Sequence, residues 1–258
     1  HPTAGYLYTN EDKIDDEGRR YDPNLKGAWS PEMAITHNYT HHLTVIRRTI
    51  VEQAGRFRPE FNGAQDIDLF LRCHELIAPT DVIHVPFVCY HWRAHEESTA
   101  LRGDQKDYLF DAARRGIAAA CTRRGLRAAP FLPPLMKQHA LCLHQLQWDY
   151  ALLAENPVTI VIPTKNRPEL LTACLASLER TVNWAHVRLV IVDDGSTDQA
   201  AVELLAKLEA RTELRCRVLR TGRPDDPFHY SRLVNLGSAA ADTPLLLHLN
   251  NDIEALEP

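Results

Sequence analysis

The sequence predicts an α/β fold with a mostly parallel sheet, and the second half of the chain carries most of the support. Strand-like runs recur there, at residues 158–162, 187–192, about 215–220 and 245–249, and the first two are mostly apolar and rich in β-branched residues. Segments with apolar residues at helical spacing separate them. Such runs are typical of strands buried on both faces. Their alternation with helices indicates a parallel sheet with helices on both sides.

Each of three predicted strands in this half ends in a polar loop. Residues 163–167 (PTKNR) follow the first strand, residues 193–196 (DDGS) the second, and residues 250–252 (NND) the fourth. Ser231 is the expected N-cap of the third helix, over about 231–241. Because ligands of open α/β sheets bind beyond the carboxyl ends of the strands, we expect the three loops to form a binding site.

The first half of the chain predicts a less regular mixture of strands and helices. The expected strands are residues 5–9, 38–47, 82–85 and 87–92, and the main expected helix is 65–77. A connector follows, with a helix over about 104–124 and a stretch broken by prolines. The predicted division is therefore 1–100, a connector over 101–156, and 157–258.

Composition and charge exclude several classes of protein. The 258 residues carry a net charge of −5, without the excess of basic residues expected of a nucleic-acid-binding protein. No apolar run reaches about 18 residues, so no membrane-spanning segment is expected. The loop 163–167 contains no glycine, which argues against a nicotinamide oxidoreductase, because dinucleotide-binding folds need a glycine-rich first turn.

Several runs of sequence point to one family when they are taken together. The second half contains IVIPTKNRPELL, VIVDDGSTD, FHYSRLVNLG and LLLHLNNDIE, and the first half contains YLYTNEDKIDDEGRRYDPNLKGAW, GRFRPEFNGAQDIDLFLRC and IHVPFVCYHWRAHEESTA. In combination they resemble inverting family 2 glycosyltransferases of GT-A fold. The second half resembles the nucleotide-binding half of such a domain, and the first half resembles its acceptor half.

The resemblance implies an activity and its partners. Members of the family move a sugar, typically a hexose, from a nucleotide-diphosphate donor to a hydroxyl of a saccharide or lipid-linked saccharide, often in bacterial surface polysaccharides. It also implies a divalent cation, Mn²⁺ or Mg²⁺, and a cytoplasmic location, with attachment to the inner face of the membrane left open. A non-catalytic nucleotide- or carbohydrate-binding remnant of such an enzyme is the alternative.

The two halves stand in reverse order compared with a single GT-A domain. We expect a fragment of a tandem protein, with the acceptor half of one domain followed by the nucleotide half of the next. A circular permutation, in which residues 1–100 complete one site with 157–258, is the alternative.

The resemblance also assigns candidate residues in the second half. Those expected to bind the donor are Pro163, Thr164, Arg167, Asp193, Asp194 and Asn235. Asp252 matches the last acid of the family's metal motif, and Asn250 replaces the usual first acid, which removes one charge from the site. The late histidine that helps to bind the metal in many members corresponds to His91, with His95 as the alternative.

The catalytic candidate lies in the first half. Asp66 matches the segment in which family members place the general base, a carboxylate that must come within about 2.6–3.2 Å of the proton it removes. Asp68 is two positions further on and leaves on a different face of the helix. Glu11, Asp12 and Trp92 are the expected acceptor-side residues.

Overall fold

The structure, a computed structural model, describes residues 3–93, 106–211 and 214–256. The chain divides into two compact units, His1–Asp149 and Tyr150–Pro258. The first unit therefore includes most of the segment expected as a connector. None of the helices in the described ranges has both the length and the apolar character needed to cross a membrane.

The first unit is built on one central strand. Its main sheet contains β1 (Tyr6–Ile14), β2 (Arg20–Asn24), β3 (Thr44–Ile46) and β4 (Val82–Arg93). β4 runs parallel to β1 along the whole length of β1, whereas β3 and β2 pair antiparallel with its first and last residues on the other side. Tyr6 and Tyr8 leave the same face of β1 and are fully buried in a core with Ala34, Tyr39 and Val82.

Helices and a small second sheet complete this unit. The helices are α1 (Pro31–Thr36), α2 (Arg48–Gln53), α3 (Gln65–His74), α4 (Lys106–Arg123) and α5 (Pro134–Gln138), and β5 (Ala128–Phe131) pairs antiparallel with β6 (Gln145–Trp148). Leu69, Leu71 and Cys73 of α3 are buried. The side chain of Asp68, also buried, binds those of Arg58 at 3.1 Å and Arg72 at 2.6 Å, which anchors the helix to the preceding loop.

The second unit has the predicted parallel α/β arrangement. Its sheet has the order β10-β7-β8-β9 with every pair parallel, from β7 (Val158–Thr164), β8 (Val187–Asp194), β9 (Cys216–Thr221) and β10 (Leu245–His248). The helices are α6 (Leu152–Glu155), α7 (Pro168–Thr181), α8 (Gln199–Glu209) and α9 (Tyr230–Ala239). The expected fold class is confirmed.

Alternate residues of the central strands supply two separate cores, as strand geometry requires. Ile160 and Ile162 pack with apolar residues of α7 and α8 on one face of the sheet, and Val161 packs with Leu233 of α9 on the other. α9 lies so close that a Cβ on Gly237 would stand 2.3 Å from a methyl carbon of Val161. Helices therefore cover both faces of this sheet.

Several predicted elements were wrong in detail. The strand expected over 38–47 is confined to Thr44–Ile46, and the two strands expected between 82 and 92 are one strand, β4. Ser231 is not an N-cap, because α9 begins one residue earlier and His229 occupies the cap position without a side-chain hydrogen bond.

Candidate functional site

The three polar loops of the second unit are fastened together at the carboxyl edge of its sheet. The first is tied to the second by Asn166, whose backbone N–H donates to Ser196 Oγ at 2.6 Å. Asn166 Oδ1 accepts from the backbone N–H groups of Thr197 and Asp198 at 2.8 and 2.9 Å. The third loop is tied to the first by Asn251 Nδ2, which donates to the hydroxyl of Thr164 at 3.1 Å.

Asp194, at the end of β8, is fully buried, and its two carboxylate oxygens differ in their hydrogen bonding. Its Oδ1 accepts from Arg232 Nη2 at 2.5 Å. Its Oδ2 is buried and has no hydrogen-bond partner among the described residues. Leaving a buried acceptor unpaired costs about 1–3 kcal/mol, more for a charged group, so such atoms need an explanation. A ligand that donates an N–H or O–H to Oδ2 would remove this cost.

A glycine makes room for that carboxylate. Gly222 follows β9 with a φ of +74°, and a Cβ there would stand 2.2 Å from Asp194 Oδ1. Any larger residue would therefore push the Asp194 side chain out of the position in which Arg232 holds it. The backbone conformation at Gly222 is also one that glycine adopts without strain.

The neighbouring Asp193 has a different environment. It is buried, and its Oδ1 accepts from the hydroxyl of Ser196 at 2.5 Å and from the backbone N–H of Ser196 at 3.2 Å. These bonds shape the turn after β8. Of the two predicted acids, Asp194 is therefore the one with a free buried acceptor.

The other predicted donor residues take up three kinds of position. Pro163 and Thr164 are buried at the end of β7. Arg167 is exposed in the left-handed region, with a φ of +49°, and its Nε donates to Glu169 at 2.6 Å. Asn235 is exposed on α9, three residues after Arg232, and so lies on the same side of the helix.

The third loop offers oxygen atoms suited to a divalent cation. Asp252 and Asn250 both have exposed side chains, and Asp252 has no hydrogen bond or ion pair within the described part of the chain. No group of three or more acidic, histidine or cysteine side chains able to hold a metal occurs in that part. One carboxylate fits Mg²⁺ or Mn²⁺, because Mg²⁺ is commonly held by one or two carboxylates together with substrate phosphates.

In the first unit, Asp66 faces a cavity of about 530 Å³. It is the second residue of α3, and its Oδ2 accepts from Asn38 Nδ2 at 2.9 Å. His37 and His41 also line this cavity. Burial lowers the pKa of both histidines. The nearby carboxylate of Asp66 acts in the opposite direction on the pKa of His41, and burial outweighs it.

A second cavity of about 340 Å³ contains the other acceptor-side candidates. Glu11, Asp12 and Trp92 line it, and Trp92 also lines the cavity of Asp66. Trp92 is thus common to the cavity of Asp66 and the cavity of Glu11 and Asp12. A flat aromatic side chain flanked by carboxylates can contact a sugar through its ring face and through its hydroxyl groups.

His91 is held by one of these carboxylates. It lies opposite Asp12 in the β1–β4 pair, and its Nδ1 is 2.5 Å from Asp12 Oδ1. This bond leaves Nε2 as the ring nitrogen available to a ligand, and a carboxylate behind a histidine is a common arrangement around metal ligands. His95, the alternative, lies outside the described residues. The assignment of His91 therefore stays a prediction.

Two residues that position the candidate acids were not predicted from the sequence, one in each unit. Arg232 fixes Asp194, and Asn38 fixes Asp66. Arg232 could have been found, because it lies one helical turn before the predicted Asn235. Asn38 gave no such signal, since it lies in a segment that was expected to be a strand.

The comparison with family models finds a match within the second half. Residues 159–257 match the family described as Glycosyl transferase family 2. The resemblance inferred from the motifs is confirmed for this segment, and the parallel α/β sheet described above is consistent with a Rossmann-like GT-A domain. The tandem arrangement of the chain stays a prediction.

Two curated relatives align with the whole chain. Uncharacterized protein y4gI of Sinorhizobium fredii is 32% identical over 262 residues, and O-antigen biosynthesis protein RfbC of Myxococcus xanthus is 32% identical over 257 residues. The alignments cover 100% of this chain, but 27% and 19% of the two relatives. The chain thus spans about a quarter or less of the proteins it matches.

Solved structures match a smaller part of the chain. The mannosyltransferase PcManGT from Pyrobaculum calidifontis, in complex with GDP-Man and Mn²⁺, matches with 18% identity and a TM-score of 0.33, over 38% of this chain and 28% of its own. S. aureus TarS matches with 24% identity and a TM-score of 0.32, over 37% of this chain and 16% of its own.

Proposed function

We propose that this protein is a glycosyltransferase that moves a sugar, typically a hexose, from a nucleotide-diphosphate donor to a hydroxyl of a saccharide or lipid-linked saccharide, in polysaccharide synthesis. The single observation that carries the proposal is the buried, unpartnered Oδ2 of Asp194 within the segment that matches family 2. The name of the Myxococcus relative, an O-antigen biosynthesis protein, supports a polysaccharide as the product.

The nucleoside of the donor is expected at the carboxyl edge of the second unit's sheet. Asp194 Oδ2 would accept a hydrogen bond from a base N–H or a ribose hydroxyl. Asp193, Pro163 and Thr164 shape the adjoining wall, and Arg167 and Asn235 lie exposed at its rim. A divalent cation, when bound by Asp252 and the diphosphate, would stabilise the charge of the leaving group.

The first unit is expected to supply the acceptor side of an inverting transfer. The acceptor oxygen forms a bond to the anomeric carbon while the bond from that carbon to the diphosphate breaks. The proton of the acceptor hydroxyl passes to the carboxylate of Asp66, which acts as general base. Trp92, Glu11 and Asp12 would orient the acceptor sugar.

The order of the halves supports a tandem protein, in which these two half-sites belong to different domains. The test measures nucleotide release from a panel of nucleotide-diphosphate sugars, in the protein as its gene encodes it. In a tandem, D194A removes one of two activities. In a permuted single domain, D194A abolishes all turnover, and the tandem proposal would be wrong.

The second part of the test concerns Asp66. If D194A leaves a residual activity, D66N is introduced in that background; otherwise it is made in the wild type. D66N keeps the side-chain shape but cannot accept the proton, so nucleotide release should fall by at least about 10²-fold with donor affinity unchanged. D107N, which changes an exposed acid of α4, is the control. Donor binding without any turnover would favour the non-catalytic remnant.

A further inference from the structure

The carboxylate of Asp66 stands at the end of a buried chain of hydrogen bonds. Tyr6 Oη and Thr40 Oγ1 are 2.7 Å apart, Thr40 Oγ1 donates to Asn38 Oδ1 at 3.2 Å, and Asn38 Nδ2 donates to Asp66 Oδ2 at 2.9 Å. Tyr6 and Thr40 are 0% and 1% exposed, and Asn38 is 9% exposed. The bonds of Thr40 to Tyr6 and to Asn38 are therefore shielded from water, whereas the bond from Asn38 to Asp66 lies beside the cavity.

The donor and acceptor groups of these side chains fix the direction of each hydrogen bond. An ionised carboxylate only accepts, so the amide of Asn38 must present its NH₂ group to Asp66 and its oxygen to Thr40. Thr40 then donates its single hydroxyl proton to Asn38 Oδ1. Because Thr40 has no second proton to donate, Tyr6 must be the donor in its bond with Thr40. Burial raises the pKa of Tyr6, which keeps its phenol protonated as this direction requires.

Tyr6 also holds the helix that carries Asp66. Its ring packs against Phe70 of α3 at 5.7 Å and against His74 of the same helix at 4.3 Å between ring centroids. One core residue of β1 therefore fixes both the start of the hydrogen-bond chain and the helix at its end.

Resting on the proposed function, we infer that Asn38 is the positioning residue of the general base, with its amide oriented by Thr40 and Tyr6. Because Asp66 Oδ2 is committed to the amide N–H, Oδ1 is the oxygen that receives the acceptor proton. Oδ1 has no hydrogen-bond partner within the described ranges 3–93, 106–211 and 214–256. Asn38 lines the same cavity as Asp66, and in this inference its amide acts on the reaction through Asp66 and does not take the proton itself.

The experiment measures nucleotide release, as kcat and donor KM, in the protein as its gene encodes it and in the background that isolates the Asp66 site. N38A should lower kcat by about 10- to 10²-fold with donor KM unchanged, because a small misplacement of a catalytic group has costs of this size. T40V, which keeps the shape but removes the hydroxyl, should lower kcat in the same direction, and T40S should restore it relative to T40V.

A double mutant separates positioning from general disruption. If Asn38 acts through Asp66, N38A should cause no further loss in the D66N background. An equal loss in both backgrounds, or wild-type kcat in N38A, would overturn the inference. Wild-type turnover in D66N alone would instead overturn the proposed base, so the two failures are distinguishable. T40V and T40S give a second test if N38A folds poorly. Equal kcat values for T40V and T40S would also overturn the inference.

Discussion

Arg232 and Asp194 form an ion pair that satisfies only half of the buried carboxylate. Arg232 Nη2 donates to Oδ1 at 2.5 Å, and the buried Oδ2 has no partner in the part of the chain that the structure describes. The side chain of Arg232 is 41% exposed, whereas that of Asp194 is 0% exposed. The arginine thus reaches in from the surface and stabilises a buried charge, and one oxygen is left for a ligand.

The first prediction follows from that free oxygen. D194N keeps an oxygen for Arg232 but replaces Oδ2 by an NH₂ group, which cannot accept a hydrogen bond. The affinity for nucleoside monophosphates and diphosphates should fall at least about tenfold, the size of one hydrogen bond to a charged group. Because the nucleoside is affected and not the metal, calorimetry should give the same loss with and without Mn²⁺.

A nearby aspartate provides the control. Asp198 caps α8 by accepting from the backbone N–H of Ala200 at 2.8 Å, and asparagine caps helices as well as aspartate. D198N should therefore bind nucleotides like the wild type. Equal losses in D198N and D194N would indicate a general charge effect and would remove Asp194 from the nucleoside site.

The second prediction concerns the metal. D252N removes the exposed carboxylate after β10 and should abolish the gain in nucleoside-diphosphate affinity that Mn²⁺ produces. Affinity for a nucleoside without phosphates should stay the same. E254Q, which removes an exposed acid two residues further on, should keep the Mn²⁺ effect. Titration calorimetry with and without Mn²⁺ measures the affinities of both variants for the nucleoside diphosphate and for the nucleoside. An unchanged Mn²⁺ effect in D252N would place the metal elsewhere.

Much of the second unit could be predicted from sequence because local pattern and tertiary packing agree there. Residues 158–162 and 187–192 are apolar except for Thr159 and Arg188, and nearly continuous apolar runs are typical of a strand covered on both faces. The ends of those strands then place Thr164 and Asp193 side by side, as the register shows. The contact between Arg232 and Asp194 could not be predicted, since it joins residues 38 positions apart and depends on how α9 packs.

In the first unit, the pattern of apolar and polar residues did not predict where β1 ends. Glu11 and Asp12 lie in a polar run expected to leave the strand, yet β1 continues to Ile14 because β2 and β4 pair with it on both sides. Their polar side chains are tolerated because each has partners, Arg20 and His91 in the case of Asp12. Pairing of this kind between distant segments leaves no periodic signal in the sequence.

The third prediction uses one of these buried acids. Burial alone would raise the pKa of Glu11, but hydrogen bonds from the side chain and backbone of His42 and the charge of Lys26 lower it to about 2. A carboxyl group with a lowered pKa stabilises the fold above its ordinary pKa of 4.5, and this contribution is lost as the pH falls from there toward 2.

E11Q should therefore destabilise the first unit at pH 7, by on the order of 2–3 kcal/mol, since it also leaves the buried ammonium of Lys26 without its counter-charge. The difference from the wild type should shrink steadily below about pH 4.5. Urea denaturation across this pH range measures it. E17Q, at a side chain that is 68% exposed, should behave like the wild type throughout. A pH-independent difference would contradict the assigned cause.

The last prediction concerns a histidine with no polar partner. The ring of His74 lies between Tyr6 and Trp29, with centroid distances of 4.3 Å to each, and neither of its nitrogens has a hydrogen bond to any residue that the structure describes. Burial, with a smaller contribution from the charge of Arg124, lowers its pKa from 6.5 to about 3. The folded state thus holds His74 neutral, while the unfolded chain takes up a proton once the pH falls below about 6.5.

Stability should therefore decline as the pH falls from about 6.5 toward 3, and at pH 5 the loss due to His74 should be on the order of 2 kcal/mol. H74F keeps the aromatic packing and removes the titrating group, so the gap in unfolding free energy between pH 7.5 and pH 5 should be smaller in H74F than in the wild type. Hydrogen exchange of the β1 amides in urea reports on this unit specifically. H139Q, at an exposed histidine, should leave the gap unchanged. If this difference in unfolding free energy is the same in H74F and the wild type, groups other than His74 cause the loss of stability at low pH.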